Sequence, residues 1–95
     1  MNEVKGRLPY KCPSCESELK VSKLHCKECG TDVVGNYELP LLARLPEKDQ
    51  RFILEFVKTS GSLKDMSQKM ELSYPSVRNR LDDLIEKLIN MEELL

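Results

Sequence analysis

The sequence Cys12-Pro-Ser-Cys15, followed after ten residues by Cys26-Lys-Glu-Cys29-Gly30, decides the fold of the N-terminal part of the chain. A Cys-x-x-Cys turn lets both thiolates point to one side, and two such turns supply a tetrahedral shell of four sulfur atoms. Because four thiolates leave no open coordination position, the metal is expected to be structural rather than catalytic. The spacing therefore predicts one structural zinc ion bound by Cys12, Cys15, Cys26 and Cys29.

Other interpretations of the four cysteines remain open. The same ligands would hold an iron ion of the rubredoxin type, which would indicate electron transfer. His25 lies beside Cys26 and would be able to replace a thiolate, although a surface histidine on a hairpin is the simpler interpretation. A disulfide framework is disfavoured, because Met1 to Pro9 contains no signal peptide and we expect a cytoplasmic protein with reduced thiols.

Short β-strands are predicted around the cysteines. Leu19, Val21 and Leu24 alternate with polar residues, which favours a hairpin between the two cysteine turns, and a third strand is expected over 31–34. A domain of about 35 residues buries too little apolar surface to fold alone, whereas zinc binding contributes about 10–16 kcal/mol in comparable peptides. We therefore predict a zinc ribbon over residues 1–36 in which the metal takes the place of a core.

A linker rich in leucine and proline is predicted over residues 37–46. Pro40 and Pro46 argue against a long helix across this stretch. Its leucines argue against a solvated, flexible tether; they are Leu39, Leu41, Leu42 and Leu45. We expect the linker to pack on one or both of the domains that it joins.

Residues 47–95 show the period of α-helices. A first helix is predicted after Pro46 and ends at Gly61, and Ser62 and Ser73 are the N-caps of a second and a third helix. Because only three residues separate the second helix from the third, the pattern predicts a helix-turn-helix, with a generic three-helix bundle as the alternative. The expected fold class is a small α+β protein, with a zinc ribbon of short β-strands followed by a three-helix helix-turn-helix whose last helix is extended.

Apolar residues continue along the third helix beyond what a helix-turn-helix needs. They follow one another at alternating steps of four and three, which is the rhythm of a coiled coil; they are Val77, Leu81, Leu84, Leu88, Met91 and Leu95. We predict a homodimer through this C-terminal helix, with Leu84, Leu88, Met91 and Leu95 at the interface. Packing of these residues on the linker leucines is the alternative.

The helical half is similar to a known class of DNA-binding domain. Its segments Leu45-Pro-Glu-Lys-Asp-Gln-Arg51, Leu63-Lys-Asp-Met-Ser67, Leu72-Ser73 and Ser76-Val77-Arg78 resemble sigma-factor region four and the related output domains of bacterial response regulators. Joined to the four-cysteine ribbon, the whole chain resembles a small bacterial family described only as a domain of unknown function. That resemblance implies an architecture and not an activity.

In the sigma-factor relatives the third helix enters the major groove of DNA. Carried over to the matching positions, the resemblance implies base-edge contacts for four residues: Tyr74, Ser76, Arg78 and Asn79. It implies phosphate contacts for Lys64, Ser73 and Arg80. Under the alternative interpretation, Arg78 and Arg80 lie on a solvated helix face and pair with Asp82 or Asp83.

The charge of the chain is close to neutral, with a formal net charge of -1. Residues 1–45 contain seven Lys and Arg against six Asp and Glu, and residues 46–95 contain eight against ten. Glu71 also stands at a turn position where glycine is common in the relatives, and Asp82 and Asp83 would repel phosphate. The sequence therefore predicts a weak DNA binder unless local fields help.

The functional hypotheses follow from these features. The chain shows no nucleophile with a base and no Gly-rich phosphate loop, so we expect no enzyme, and no apolar run approaches the roughly 20 residues of a membrane span. The first hypothesis is a DNA-binding transcriptional regulator. The alternative is a protein-interaction adaptor that docks on RNA polymerase or another regulator. A third is an RNA-binding module, whose basic residues would be Lys11, Lys20, Lys23 and Lys27.

Overall fold

The computed structural model describes residues 8–94, and the chain divides into two compact units, 1–44 and 45–95. The first unit contains strands β1 (Lys20–His25) and β2 (Asp32–Glu38) and a short 3-10 helix (Leu41–Arg44). The second contains helices α1 (Glu47–Lys58), α2 (Leu63–Met70) and α3 (Tyr74–Glu93). This is the small α+β architecture expected from the sequence, and none of the helices between residues 8 and 94 is long and apolar enough to cross a membrane.

The two strands form one antiparallel sheet whose turn contains the second cysteine pair. Lys20 pairs with Glu38 and His25 with Asp32, and the register shifts between Val21 and Lys23. The expected hairpin between the two cysteine turns is therefore wrong, because that segment supplies the single strand β1. The predicted third strand over 31–34 belongs to β2, which pairs with β1 along the same hairpin.

The predicted linker over 37–46 is not a separate segment. Strand β2 takes its first two residues, the 3-10 helix takes 41–44, and the division between the units falls after Arg44. Arg44 anchors this stretch within the first unit, because its Nε donates to the Leu39 carbonyl oxygen at 3.0 Å and its guanidinium lies 3.5 Å from Glu38. The chain thus enters the second unit at Leu45, directly from structured backbone.

The helix boundaries follow the capping residues closely. The Oγ atoms of Ser62 and Ser73 accept hydrogen bonds from the backbone N–H groups of Asp65 and Ser76, at 3.1 and 3.3 Å, which satisfies unpaired donors in each first turn. Between them, Glu71 adopts the left-handed conformation, with φ of 55°. The glycine-like backbone of this turn is therefore kept even though the residue is glutamate.

The core of the second unit is apolar and draws on all three helices. Its buried side chains are Leu45, Phe52, Met66, Val77 and Leu84, with seven partly buried hydrophobic residues packed around them. Two charged side chains of α3 contact α1 around this core. Lys87 Nζ lies 2.7 Å from Oδ2 of the buried Asp49, and the Arg80 guanidinium lies over the Phe52 ring.

The apolar stripe of α3 faces this core. Leu84 is 5% exposed and so cannot serve the dimer interface that the sequence predicted, while Leu88 and Met91 are partly buried against the same cluster. Leu95 lies outside the described residues. The alternative, in which these residues pack on the linker leucines, is confirmed in part, because Leu45 belongs to the same cluster. The heptad spacing of apolar residues in α3 thus reflects packing on the core of the same domain.

Candidate metal centre and nucleic-acid interface

The first cysteine pair lies in a tight loop that its own backbone closes. The Cys12 N–H donates to the Ser17 carbonyl oxygen at 2.8 Å, and the Glu16 N–H donates back to the Cys12 carbonyl at 2.9 Å. Glu16 has a positive φ of 62°, which turns the chain sharply. Hydrogen bonds from Ser17 and from Cys12 lower the pKa of the Cys15 thiol, so more of it is in the thiolate form that binds metals.

The second pair repeats this loop at the tip of the β1–β2 hairpin. The Cys26 N–H donates to the Thr31 carbonyl at 2.8 Å, and the Gly30 N–H donates to the Cys26 carbonyl at 2.8 Å. Gly30 has a φ of 78° and takes the place that Glu16 has in the first loop. The Thr31 hydroxyl lies 3.0 Å from Cys29 Sγ, and this contact lowers the pKa of the Cys29 thiol.

The two loops are therefore copies of one metal-binding turn. In each, the first cysteine accepts a backbone bond four residues on and donates to a carbonyl five residues on, and a hydroxyl residue follows the second cysteine by two positions. Ser17 and Thr31 were not among the predicted site residues, although the repeated spacing identifies both. Hydroxyl donors of this kind stabilise a thiolate and orient it as a ligand.

The donor set fits zinc, with four thiols in two close pairs. Each pair is in mutual contact through its side chains. Among residues 8–94, however, no group of three or more His, Cys, Asp or Glu side chains is placed so that it could hold a metal ion. His25 is engaged elsewhere, since its Nδ1 lies 2.6 Å from Asp32 Oδ1 on the partner strand.

The N-terminal half of α3 presents the residues predicted to face base edges. Tyr74, Ser76, Arg78 and Asn79 are all exposed. Ser76 is tied into the cap, because its Oγ lies 2.8 Å from Ser73 Oγ. The side chains of Tyr74 and Asn79 form no hydrogen bond with any residue in the part of the chain that the structure describes.

Arg78 forms an ion pair within its own helix. Its Nε lies 3.4 Å from Asp82 Oδ1, one turn further on, which is the pairing considered as the alternative to a base contact. Exposed pairs of this type contribute only about 0.3–0.5 kcal/mol, so a stronger acceptor can replace Asp82. Asp83 and Glu86 are exposed further along the helix, and their charge opposes phosphate at that end.

The predicted phosphate-contacting residues fall into different environments. Lys64 is exposed in the first turn of α2, and Ser73 serves as the cap of α3. Arg80 is half-buried and held by the fold, since its Nη2 donates to the Lys48 carbonyl oxygen at 3.3 Å and its guanidinium carbon lies 4.9 Å from the Phe52 ring centroid. The structure thus assigns Arg80 a packing role that the sequence did not indicate.

Comparison with known families gives two adjoining matches. Residues 12–43 match the family model described as "DUF2089 zinc ribbon", and residues 45–90 match the model described as "Domain of unknown function (DUF2089)-HTH", where HTH denotes a helix-turn-helix. No curated protein and no solved structure matches the chain. The matches identify the two units by type, and the resemblance to sigma-factor region four stays a prediction.

Proposed function

The chain belongs to the DUF2089 family, with the family's zinc ribbon followed by its helix-turn-helix, and from this premise we propose that it is a DNA-binding transcriptional regulator. In this proposal α3 is the recognition helix and enters the major groove with its N-terminal half. The observation that carries the proposal is the three-residue turn between α2 and α3, followed by four exposed polar or aromatic side chains.

The distribution of charge along α3 determines which part of the helix contacts DNA. Arg78 and Asn79 lie in its first turns, whereas Asp82, Asp83 and Glu86 follow one or two turns later. A helix that enters the groove by its N-terminal end keeps these carboxylates further from the phosphates. The proposal therefore favours contact through the end of α3 rather than along its length.

Gel retardation with matched variants tests this geometry. Asn79→Ala is compared with Asn90→Ala, since both remove an exposed asparagine from α3 but only Asn79 lies in the proposed contact. Loss of one good base contact costs about 1–3 kcal/mol, so Asn79→Ala should weaken retardation of the upstream DNA about tenfold or more while Asn90→Ala leaves it unchanged. If the two variants bind the upstream DNA equally well, α3 is not the recognition helix.

We extend the proposal to one structural zinc ion per chain, bound by Cys12, Cys15, Cys26 and Cys29. The two copies of the same cysteine turn and the hydroxyl groups that contact Cys15 and Cys29 support it. Elemental analysis of the purified protein should give one zinc and no iron per chain. A value of one zinc per two chains, or iron in its place, would contradict this part of the proposal.

A homodimer also belongs to the proposal, with a different contact from the one first predicted. Leu84 is committed to the core, whereas Ile85 and Ile89 on α3 are 44% and 50% exposed. We place the dimer contact at Ile85 and Ile89, and the protein is proposed to act in the cytoplasm without enzymatic activity. Sedimentation should show Ile89→Asp to be monomeric and the native chain dimeric.

A second candidate is the adaptor that docks on RNA polymerase. The β1–β2 hairpin favours it, because Leu24, Val33 and Val34 expose between 49% and 71% of their surface, and exposed apolar patches mark protein interfaces. Binding of purified RNA polymerase by the native chain, lost in Val34→Asp but kept in Asn79→Ala, would support this function. Retention of DNA binding in Val34→Asp would separate the two activities.

A further inference from the structure

A groove of about 420 Å³ lies among the three helices of the second unit. Its apolar lining comes from Phe52 on α1 and from Met66 and Met70 on α2. Phe52 and Met66 are buried core residues that are 3% and 0% exposed, so they form the floor of the groove, and the partly exposed Met70 is the apolar residue that a ligand can reach. The volume lies in the range of small-molecule sites, about 300–1,000 Å³.

The rest of the lining is strongly cationic. Lys48, Arg51, Lys69 and Arg80 contribute four positive charges, against the single carboxylate of Glu55. Arg51 also pairs with Glu47 at 3.5 Å, outside the groove, which leaves an excess of two positive charges. This local excess stands in a chain whose formal net charge is -1, so the groove is a basic site on a nearly neutral protein.

Two of the cations are held in place by the fold. The Arg80 guanidinium lies over the Phe52 ring at 4.9 Å and donates one hydrogen bond to the Lys48 carbonyl oxygen. Because a guanidinium carries five N–H donors, others remain available to an anion. Lys69 is fixed by Glu55 at 3.0 Å. Groups that are already immobilised cost less entropy when a ligand binds.

We propose that this groove binds an organic anion, a phosphate or carboxylate carried on a small apolar ring. The ring would contact Met70 and the outer surface of the core, and the anionic group would accept charge-assisted hydrogen bonds from Arg80, Arg51 and Lys48. None of the four side chains predicted to face base edges lines the groove, and of the three predicted phosphate contacts only Arg80 does, where the fold holds it against Phe52. The inference therefore does not depend on the proposed DNA contact, and it provides a route for a small-molecule signal to reach α3.

The first experiment titrates the full-length, zinc-loaded, ¹⁵N-labelled chain with four probes and follows its amide resonances. Phenyl phosphate and phenylacetate carry both the ring and the anion, whereas inorganic phosphate and phenol each carry one part. We expect both ring-bearing anions to shift resonances of residues lining the groove and to bind more tightly than either part alone, and the tighter of the two identifies the headgroup. Binding by inorganic phosphate as tight as by phenyl phosphate, or shifts spread over the surface, would overturn the proposal.

The second experiment uses matched variants. Arg51→Gln and Lys48→Gln each remove one groove cation, and Lys58→Gln removes an exposed lysine of α1 that does not line the groove. Loss of one charge-assisted contact should weaken phenyl phosphate binding about tenfold in the first two variants and leave it unchanged in the third. Equal affinities in all three, with thermal unfolding unchanged, would contradict the proposal. Displacement of the probe by a random DNA duplex would also contradict it, by assigning the groove to phosphate backbone contact.

Discussion

The two units of this chain reach a defined fold by opposite means. In the helical unit five apolar side chains are buried, and Leu45, Met66 and Val77 are fully inaccessible to solvent. In the ribbon no side chain of either strand is buried. Its order comes instead from the strand pairing and from two cysteine loops of the same geometry. The stability of one unit thus depends on apolar burial, and we propose that the stability of the other depends on metal ligation.

The different sources of order in the two units also imply different functional roles. The helical unit has a rigid core on which α3 can hold side chains in fixed positions for recognition. The ribbon exposes Val33 and Val34 on a hairpin whose strands bury no side chain, so we propose that its surface contacts a partner only while bound metal holds the cysteine loops. Metal content is then expected to control one unit and leave the other intact, which experiments can check directly.

Metal removal should have the largest effect and should act on one unit alone. Zinc ligation contributes about 10–16 kcal/mol in comparable peptides, so a chelator, or the substitution Cys26→Ser, should abolish the dispersed amide resonances of the ribbon. The helical signals of residues 45–94 should persist, because their core contains no cysteine. If both sets of signals are lost together, metal does not stabilise the ribbon alone.

A core truncation should have the converse effect. Met66 is fully buried at the centre of the helical cluster, and Met→Ala at such sites costs about 2–5 kcal/mol. Met66→Ala should lower the free energy of unfolding of the helical unit by this amount, measured by circular dichroism in urea, with zinc content unchanged. Leu54→Ala is the control, because Leu54 is 59% exposed, and its effect should stay within about 0.5 kcal/mol.

The contact between Lys87 and Asp49 gives a smaller effect. Asp49 is 7% exposed and its Oδ2 lies 2.7 Å from Lys87 Nζ, so Lys87→Ala leaves a nearly buried carboxylate without its cation. This should cost about 1–3 kcal/mol. Lys64→Ala, which removes an exposed lysine of α2, should cost close to nothing. If the two variants unfold at the same urea concentration, polar contacts do not contribute to joining α3 to α1.

The smallest effect expected is pH-dependent. Hydrogen bonds from Lys69 and Lys58 lower the pKa of Glu55, so its carboxylate stabilises the folded state above the pKa of the unfolded chain. This stabilisation is lost as pH falls through the lower folded pKa. Glu55→Gln should therefore be less stable than the native chain at about pH 7 and equal to it at about pH 2. Equal stability of the native chain and Glu55→Gln at both pH values would contradict this role of Glu55.

Local signals in the sequence were sufficient to predict the helical elements and the two cysteine turns. Ser62 and Ser73 mark the helix starts because an N-cap depends only on neighbouring backbone groups, and both are confirmed as caps. The pairing of β1 with β2 was not predicted, because alternation indicates a strand but not its partner. The repeated hydroxyl positions at Ser17 and Thr31 were present in the sequence and were overlooked.

Contacts between distant residues set the limit of prediction. The stripe through Leu84 and Leu88 suits a partner helix or a core equally well, and only the positions of Leu45 and Phe52 decide between them. Arg80 was expected at DNA from the resemblance. Its packing role was not predicted, because its contact with Phe52 joins residues far apart in sequence. The ion pair between Asp49 and Lys87 was not predicted for the same reason, since the residues are 38 positions apart.

The most direct test of the proposed function is binding of the zinc-loaded chain to its own upstream DNA and to a random duplex of equal length, at two salt concentrations. A sequence-reading α3 predicts tighter binding to the upstream DNA at both salt concentrations, with affinity for each duplex falling as salt rises because phosphate contacts release counterions. Equal binding to the two duplexes, or none to either, would contradict a sequence-reading regulator and leave the adaptor as the function to pursue.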